Sequence, residues 1–517
     1  MMKTRVLVVG LDGADWYVLS KWASRGELPN IRNILKLGAG GELESTVPPV
    51  TPPAWTTMVT GKKPEKHGIC GGFLKVSYHN GRWAARPYSS LDKRSLEIWD
   101  LIDKSIVVNV PLTYPPKKID GILVSGMFTP SLDVNFTYPV KFKEELFNVS
   151  PNYKTDIRIP LELRLGGAGY ENLLSEIYEV TKARERLFWY LYKKDWRLLF
   201  FVFTETDRIQ HFMWGTDEML KFWRYIDSFL GNVVDEVSSQ NDLYLILVSD
   251  HGFTKISKKV SISRILYQKK YLIPRNKLFK FIMSTKVNDV LSSLILRAHR
   301  ILPSWFKRKL ADVGKTSLWS DKSPVFVSGG GGGCFDAIYV RPDLPKHVRQ
   351  DIIEKVKTTL LDIVDPEDNR KVVSKIRLKD KNFLFKLDSN ECPDIVILPS
   401  EGYSFGEYHH KVIRKLNGTY GDHASHGILF AVGPEINPNT RIYKSRIEDI
   451  APTLLHLLDI PIPPDVDGSV LKDMFRKDSK ILSKEIRYMG KEEFSYHILR
   501  YKMRKRSSLS PSTKIRK

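Results

Sequence analysis

The stretch that decides the fold is residues 241–253, NDLYLILVSDHGF. Its apolar run, LYLILV, is short and rich in branched and aromatic side chains, which predicts a strand buried on both faces inside a parallel sheet. Asp250 and His251 follow the run almost directly. Ligands of open α/β sheets bind just beyond the carboxyl ends of the strands. A carboxylate and an imidazole at this point therefore indicate a metal site, although the same segment is also rich in turn-forming residues.

Two other apolar runs end in a similar way. They are RVLVVGL at residues 5–11 and RLLFFVF at residues 197–203. Asp12 follows the first run, and the second leads into a segment that contains Asp207 and His211. Because these two residues are four positions apart, a helical turn would place both on one face. The alternation of buried strands with helical patterns predicts an α/β fold that gathers these polar side chains at one edge of the sheet.

Thr51 opens a segment with the features of a short helix, TPPAWTTMVTG at residues 51–61. We predict threonine at the N-cap, proline at the first helical position and Gly61 just after the last turn. At a helix N-terminus the free N–H groups and the helix dipole favour an anion such as a phosphate. Thr51 is therefore a candidate phosphate contact, and the alternative is a threonine that only caps the helix.

The positive charge of the chain is concentrated in two segments. Of the net +22, residues 254–320 supply +14 and residues 481–517 supply +8, so the remainder is neutral. We predict four regions: an α/β core at 1–253, an inserted basic helical cap at 254–330, a second part of the core at 331–478 and a basic tail at 479–517. Basic segments favour anionic partners, either a membrane surface or nucleic acid, unless they serve only as solvated charge.

The sequence also bears on the compartment of the protein. No apolar run approaches the 18 residues that a membrane span requires. Cys70, Cys334 and Cys392 are scattered without disulfide or metal spacing, and Cys70 reads as a packed thiol. These features predict a reduced, cytoplasmic protein, with the membrane periphery as the alternative.

The candidate ligands together point to phosphoryl or sulfuryl transfer. They are Asp12, Thr51, Asp207, His211, Asp250, His251 and His423. Mixtures of aspartate and histidine suit zinc or manganese, and six such residues are enough for two ions. Two metal ions roughly 4 Å apart can clamp the attacking and the leaving oxygen of the displacement. A hydroxyl bound to one of them loses its proton easily and becomes a nucleophile.

Several motifs resemble those of the alkaline phosphatase superfamily, in the branch of type I phosphodiesterases and nucleotide pyrophosphatases. They are VVGLDG, TPPAWTTMVTGKKPEKHGI, NVPLTYPPKKIDGILVSGM, FTETDRIQHFMW, VSDHGF, GDHASHGILFAVGP and DIAPTLLHLLDIPIPPDVDG, spread over residues 4–475. Within this branch the chain is similar to a prokaryotic group of predicted phosphohydrolases or phosphomutases. The resemblance implies a doubly wound, mostly parallel sheet with helices on both faces. A sulfatase is not expected, because the C/S-x-P-x-R motif is missing at Thr51.

The resemblance also implies a role for each residue. Thr51 would be the nucleophile of a phosphodiesterase or phosphatase and would form a phospho-threonine intermediate. Its metal would be held by Asp12, Asp250 and His251, and the metal that activates water by Asp207, His211 and His423. Zinc is expected, with manganese as the alternative. The other functions considered are a phosphomutase or phosphotransferase, and a membrane- or nucleic-acid-binding protein that uses its basic cap and tail.

Two residues are candidates for substrate contacts. Ala54, three residues after Thr51, could offer a phosphate only its backbone N–H. Arg208, beside Asp207, could add a guanidinium, and the alternative for it is a surface salt bridge.

Overall fold

The computed structural model describes residues 4–157, 159, 169–275, 319–329, 333–379, 391–406 and 412–507. The chain divides into two compact units. The larger comprises residues 1–69, 87–254 and 419–517, and the smaller comprises residues 70–86 and 255–418.

The described residues form eighteen strands. In chain order they are β1 Arg5–Leu11, β2 Ala39–Glu44, β3 Leu74–His79, β4 Arg82–Pro87, β5 Ser105–Val108, β6 Gly121–Val124, β7 Thr137–Tyr138, β8 Leu198–Phe203, β9 Leu243–Val248, β10 Gly252–Val260, β11 Val325–Gly329, β12 Asp336–Val340, β13 Val373–Leu378, β14 Ile395–Pro399, β15 Gly402–Phe405, β16 Ile413–Ala424, β17 His426–Val432 and β18 Thr440–Arg446.

Thirteen α-helices lie in the same described part of the chain. They are α1 Trp16–Ser24, α2 Pro29–Leu37, α3 Thr51–Thr60, α4 Pro64–His67, α5 Phe142–Val149, α6 Tyr170–Tyr192, α7 Glu205–Met213, α8 Asp217–Ser238, α9 Ile262–Gln268, α10 Lys346–Leu361, α11 Ile450–Leu457, α12 Lys480–Ser483 and α13 Lys491–Ser507.

The larger unit is built on a nine-stranded sheet in the order β18-β2-β17-β9-β1-β8-β5-β6-β7. β1 pairs in parallel with both β8 and β9, and β5 pairs in parallel with β8 and β6. β17 and β7 run antiparallel to their neighbours. The predicted mostly parallel α/β sheet is confirmed, and β1 and β9 have the predicted bounds.

Helices cover both faces of this sheet. Along β1, Leu7 and Val9 point to one face and pack in a core with α1, α2, α6 and α8. Val6 and Val8 point to the other face, where the core includes α3 and α11. Because the side chains of a strand alternate between its faces, a strand buried on both needs an apolar residue at nearly every position. This is the reason for the uninterrupted apolar runs in the sequence.

The smaller unit has sheets of its own. They are a four-stranded sheet β11-β12-β14-β13, the two-stranded pair β3-β4 and most of a three-stranded sheet β15-β10-β16, although the end of β16 that carries His423 belongs to the larger unit. β12 and β14 lie within the predicted second part of the core, residues 331–478, but they belong to the four-stranded sheet of the smaller unit. An apolar run identifies a strand but carries no information about which sheet it joins. Most of the predicted basic cap, residues 276–318, lies outside the described residues, so a helical cap stays a prediction.

Cys70 and Cys392 form a disulfide within the smaller unit, with an S–S distance of 2.00 Å. The prediction that Cys70 is a packed thiol is therefore wrong. The two cysteines are 322 residues apart, and spacing rules recognise only pairs that lie close together in the sequence. Cys334 is buried and takes no part in this disulfide. The cytoplasmic setting stays a prediction, but it loses the support that it drew from three reduced cysteines.

The described part of the basic tail includes α13. One face of this helix packs on the larger unit: Tyr501 is buried, its hydroxyl donates to the Lys93 carbonyl oxygen at 2.8 Å, and Lys505 Nζ donates to the same oxygen at 2.6 Å. Among the described residues, no helix combines the length and the apolar character needed to cross a bilayer.

Candidate metal centre

The residues singled out in the sequence lie at the carboxyl edge of three adjacent strands. Asp12 follows β1, Asp250 and His251 follow β9, and Asp207 lies in the first turn of α7, just after β8. Since the order of these strands is β9-β1-β8, the parallel sheet alone brings the side chains to one place. His423 comes from β16.

The first group consists of Asp12, Asp250 and His251, whose side chains are fully buried. His251 Nε2 lies 3.6 Å from Asp12 Oδ1 and 3.2 Å from Asp250 Oδ2. The second oxygen of each carboxylate has a donor: Trp55 Nε1 donates to Asp12 Oδ2, and the Gly13 N–H donates to Asp250 Oδ1, both at 3.2 Å. One oxygen of each carboxylate is thereby left facing the histidine.

The second group consists of Asp207, His211 and His423. Asp207 Oδ1 lies 3.4 Å from His211 Nε2 and 3.2 Å from His423 Nε2, and the two Nε2 atoms are 3.0 Å apart. The predicted helical turn is present, since Asp207 and His211 are both in α7. His211 has the only side chain of the three with appreciable exposure, at 19%.

All three histidines have the same orientation. Nδ1 of each faces a backbone carbonyl oxygen: that of Gly252 for His251 at 3.1 Å, Gly421 for His211 at 3.3 Å and Pro49 for His423 at 3.2 Å. A carbonyl can only accept, so Nδ1 carries the proton and donates it. In the neutral ring this leaves a lone pair on Nε2. The tautomer is thus the one that a histidine needs in order to bind a metal ion through Nε2.

Several of these lone pairs have no partner in the described part of the protein. Buried atoms without any hydrogen bond include Asp12 Oδ1, Asp250 Oδ2, His251 Nε2 and Asp207 Oδ1. Buried polar atoms are nearly always satisfied in folded proteins, and each of these atoms points at its own group. The residues therefore fit divalent cations. The groups are neighbours, because the rings of His251 and His423 stack with centroids 3.7 Å apart.

Burial and mutual repulsion raise the pKa values of the carboxylates in the first group. Burial, followed by the nearby charges of Asp250 and Asp207, raises the pKa of Asp12 well above its ordinary value. Burial also raises the pKa of Asp250 to about 8. A bound cation would compensate for the lost hydration of these carboxylates and make them good anionic ligands.

In the second group, opposing effects act on the pKa of Asp207. Burial would raise the pKa of Asp207, but His211, His423 and Arg208 outweigh it and hold the pKa well below its usual range. Asp207 therefore has direct contact with a cationic side chain, Arg208, whereas at Asp12 burial and the neighbouring carboxylates outweigh the effect of Arg208.

Two hydrogen bonds connect the start of α3 to the two groups, and they flank Thr51 in the sequence. Thr51 is the first residue of α3, and Val50 occupies the N-cap, so the predicted cap is wrong by one residue. Just before it, the Pro49 carbonyl accepts from His423 of the second group; one turn after it, Trp55 donates to Asp12 of the first. Gly61 ends the helix as predicted, with φ of 67°.

The two predicted substrate contacts look different in the structure. The Ala54 N–H already donates to the Val50 carbonyl at 3.1 Å, so the structure does not support a phosphate contact there. Arg208 is not a surface residue, since its side chain is only 14% exposed and it pairs with Asp207 and Asp156. A contact of Arg208 with substrate stays a prediction.

Some supporting residues carried no recognisable sequence signal. Trp55, Pro49 and Gly421 orient the ligand side chains through a ring N–H or a backbone carbonyl. Asp156 reaches the site through Arg208. A carbonyl contact depends on no side-chain type, and Asp156 lies in irregular chain far from the motifs.

Comparison with known proteins identifies the family. The model of the family described as type I phosphodiesterase / nucleotide pyrophosphatase matches residues 6–429. The chain belongs to this family. As a type I phosphodiesterase/nucleotide pyrophosphatase family member, it is a metal-dependent hydrolase of the phosphodiesterase and phosphatase class. No curated protein matches its sequence.

Solved structures share the fold of this family member at low sequence identity. Murine ectonucleotide pyrophosphatase/phosphodiesterase 5, solved as an inactive threonine-to-alanine form in complex with AMP, is 16% identical, with a TM-score of 0.51 over 92% of this chain and 100% of its own. The human protein is 18% identical, with a TM-score of 0.50 over the same shares. Phosphonoacetate hydrolase from Sinorhizobium meliloti, solved with phosphonoformate, is 15% identical, with a TM-score of 0.51 over 88% of this chain and 95% of its own.

Proposed function

We propose that this family member is a two-metal phosphohydrolase that cleaves phosphate esters, diesters or monoesters, through a phospho-threonine intermediate on Thr51. The observation that carries the proposal is the approach of the Nε2 atoms of His211 and His423 to 3.0 Å, beside an unpaired oxygen of Asp207. Two Nε2 atoms at that distance require a proton or a cation between them, and the unpaired Asp207 oxygen beside them favours a divalent cation. In the first group, the unpaired buried atoms Asp12 Oδ1, Asp250 Oδ2 and His251 Nε2 support a second cation.

The donor set decides which ions are proposed. Asp12, Asp250 and His251, with the Thr51 hydroxyl, would hold one ion, and Asp207, His211 and His423 would hold the other. Aspartate and histidine donors favour zinc, with manganese as the alternative. When bound, such ions supply positive charge that polarises the phosphate and lowers the pKa of a hydroxyl or a water molecule.

The chain's own residues then carry out two displacements. In the first, Thr51 Oγ1 forms a bond to phosphorus while the bond to the ester oxygen breaks, and the leaving alcohol takes up the proton that the threonine gives up. In the second, a water oxygen binds phosphorus, the bond to Thr51 Oγ1 breaks and the threonine regains a proton. The murine relative was solved as an inactive threonine-to-alanine form, which supports a threonine in this role.

Substitution of Thr51 tests the proposal. We expect Thr51→Ala to lose at least 100-fold in turnover of a chromogenic diester and a chromogenic monoester, because the nucleophile is gone. Thr51→Ser should retain measurable activity, and acid quenching of the wild type should trap phosphate on Thr51 for mass spectrometry. Metal content measured on the same samples should be two ions per chain in the wild type.

The matched control is Thr60→Ala, at the other end of the same helix, where the hydroxyl donates to the Thr56 carbonyl at 2.7 Å. This variant should retain wild-type turnover. Full activity in Thr51→Ala, or a wild type that binds no zinc or manganese, would contradict the proposal. Adding an acceptor alcohol distinguishes the phosphotransferase alternative, in which phosphorylated alcohol would exceed free phosphate.

The outer face of α13 favours a second role, which is contact with an anionic membrane surface. Tyr496, Leu499 and Met503 recur along one side of the helix and are 60%, 59% and 63% exposed, beside exposed Arg500 and Lys502. Apolar side chains among basic ones are typical of helices that lie on anionic lipid. Such contact would make the protein membrane-peripheral. Sedimentation with phosphatidylserine vesicles at two salt concentrations tests this; equal sedimentation with neutral vesicles, or binding to nucleic acid alone, would contradict it.

A further inference from the structure

Arg208 binds one oxygen of a candidate metal ligand. Its Nη1 donates to Asp207 Oδ2 at 2.6 Å, and its Nη2 donates to Asp156 Oδ1 at 2.9 Å. The guanidinium therefore bridges two carboxylates, one in α7 and one in the loop after α5. A planar fork with two engaged nitrogens has little freedom to rotate.

Because of this contact, the two carboxylate oxygens of Asp207 have different roles. Oδ2 is used by Arg208, whereas Oδ1 has no hydrogen bond and faces Nε2 of both His211 and His423. A free carboxylate could turn either oxygen, or both, toward an ion. With Oδ2 held, Asp207 can present only Oδ1 to its group.

The other end of the bridge is fixed by a second arginine. Arg184 is fully buried in α6 and donates to the carbonyl oxygens of Lys154 at 3.1 Å and Thr155 at 3.3 Å. It also pairs with Glu205, in the first turn of α7, at 2.9 Å. The loop that carries Asp156 is thereby tied to the helix that carries the ligands, so that Asp156 is itself a fixed support.

We propose that Arg208, held by Asp156, is a positioning residue that makes Asp207 a ligand through one oxygen. This inference rests on the proposed function, because it requires an ion at the group formed by Asp207, His211 and His423. It assigns Arg208 a role that differs from both substrate binding and a surface salt bridge. It also adds Asp156, more than fifty residues away in the sequence, to the support of the metal centre.

The test measures metal binding rather than turnover. We expect Arg208→Met to keep one tightly bound ion per chain and to bind the second 10- to 100-fold more weakly, as is typical when a partner of a metal ligand is removed. In the cobalt-substituted protein the visible absorption of one site should change and that of the other should not. Asp156→Asn should shift the same site in the same direction by a smaller factor.

A double substitution shows whether Asp156 acts through Arg208. If it does, Asp156→Asn adds nothing to the metal affinity of Arg208→Met, whereas independent effects would multiply. The matched control is Arg224→Met, since Arg224 is a half-exposed arginine that pairs with Glu27; this variant should bind two ions as the wild type does.

The outcomes separate this inference from the proposed function. A wild type without metal would contradict the proposed function. Two ions bound with wild-type affinity and an unchanged cobalt spectrum in Arg208→Met would overturn the positioning role alone. If Arg208→Met does not fold, Asp156→Asn decides, because it leaves α7 intact; wild-type binding of both ions in that variant would also overturn the inference.

Discussion

Thr51 stands at the start of a helix that offers a phosphate few backbone donors. Proline has no N–H, so Pro52 and Pro53 contribute none, and the Ala54 N–H is used within the helix. A typical helix start presents several free N–H groups to an anion, whereas the first three residues of α3 have one, on Thr51. The charge of a bound phosphate therefore has to be balanced mainly by cations.

Lys505 gives the most direct prediction for a single ionisable residue. Burial lowers its pKa to about 8, against an ordinary value of 10.5. Below pH 8 both folded and unfolded chains are protonated, and the folded protein bears the full cost of burying the charge. Between about pH 8 and 10.5 the folded state loses its proton first, so this residue adds stability as the pH rises. We expect Lys505→Met to raise the free energy of unfolding at pH 7 and to lose most of that advantage by pH 10, as measured by urea denaturation.

Lys502→Met on the same helix is the control, because that side chain is exposed. It should show no comparable dependence on pH. If Lys505→Met raises the free energy of unfolding by the same amount at pH 7 and pH 10, then burial of the ammonium group does not destabilise the folded protein. The expected effect is smaller than the pKa difference alone implies, because Lys505 keeps partial contact with water.

At the scale of single elements, the sequence was most informative where burial leaves little choice. A strand covered on both faces must be apolar throughout, and for this reason β1 and β9 could be located to the residue. The same pattern could not show that β12 and β14 belong to a different sheet from β1 and β9, because the composition of a strand does not specify its pairing partners. The boundary of α3 was misplaced by one residue because a residue before a proline is biased away from helical backbone angles, whereas Thr51, which precedes Pro52, is the first helical residue.

The candidate site followed from the same logic. Asp12, Asp207 and Asp250 each lie within a few residues of the end of a buried run, and a parallel sheet brings such positions together regardless of their distance along the chain. The support around them was not predictable in this way. Asp156 and Arg184 act through long-range contacts from a loop and a helix whose local sequences carry no signal for a metal site.

At the scale of the whole molecule, the disulfide makes a prediction about the state of the three cysteines. Denatured but unreduced protein should react with one equivalent of an alkylating reagent, at Cys334, and reduced protein with three, as counted by mass spectrometry. We also expect Cys392→Ser to lower stability by about 2–5 kcal/mol, as is typical when a native disulfide is removed.

The control for that count is Cys334→Ser, which should take up no reagent before reduction and two equivalents after it. Uptake of three equivalents by unreduced wild type would mean that Cys70 and Cys392 are free, and the prediction of a reduced, cytoplasmic setting would regain its support. Disulfides persist mainly where the surroundings are oxidising, so the count also bears on the compartment.

The position of β17 has a consequence for how the protein is made. This strand lies between β9 and β2, and the ribosome reaches it only after β1, β2, β8 and β9 have all been synthesised. Until then the growing chain has no strand to place between β9 and β2. His423 lies just before β17 in the sequence, so it is synthesised at almost the same time. The sheet closes and the ligand set is completed at almost the same stage of synthesis. A nascent chain or a fragment that stops before this strand therefore has neither a finished core nor a working centre, and exposed strand edges are then the main hazard for it.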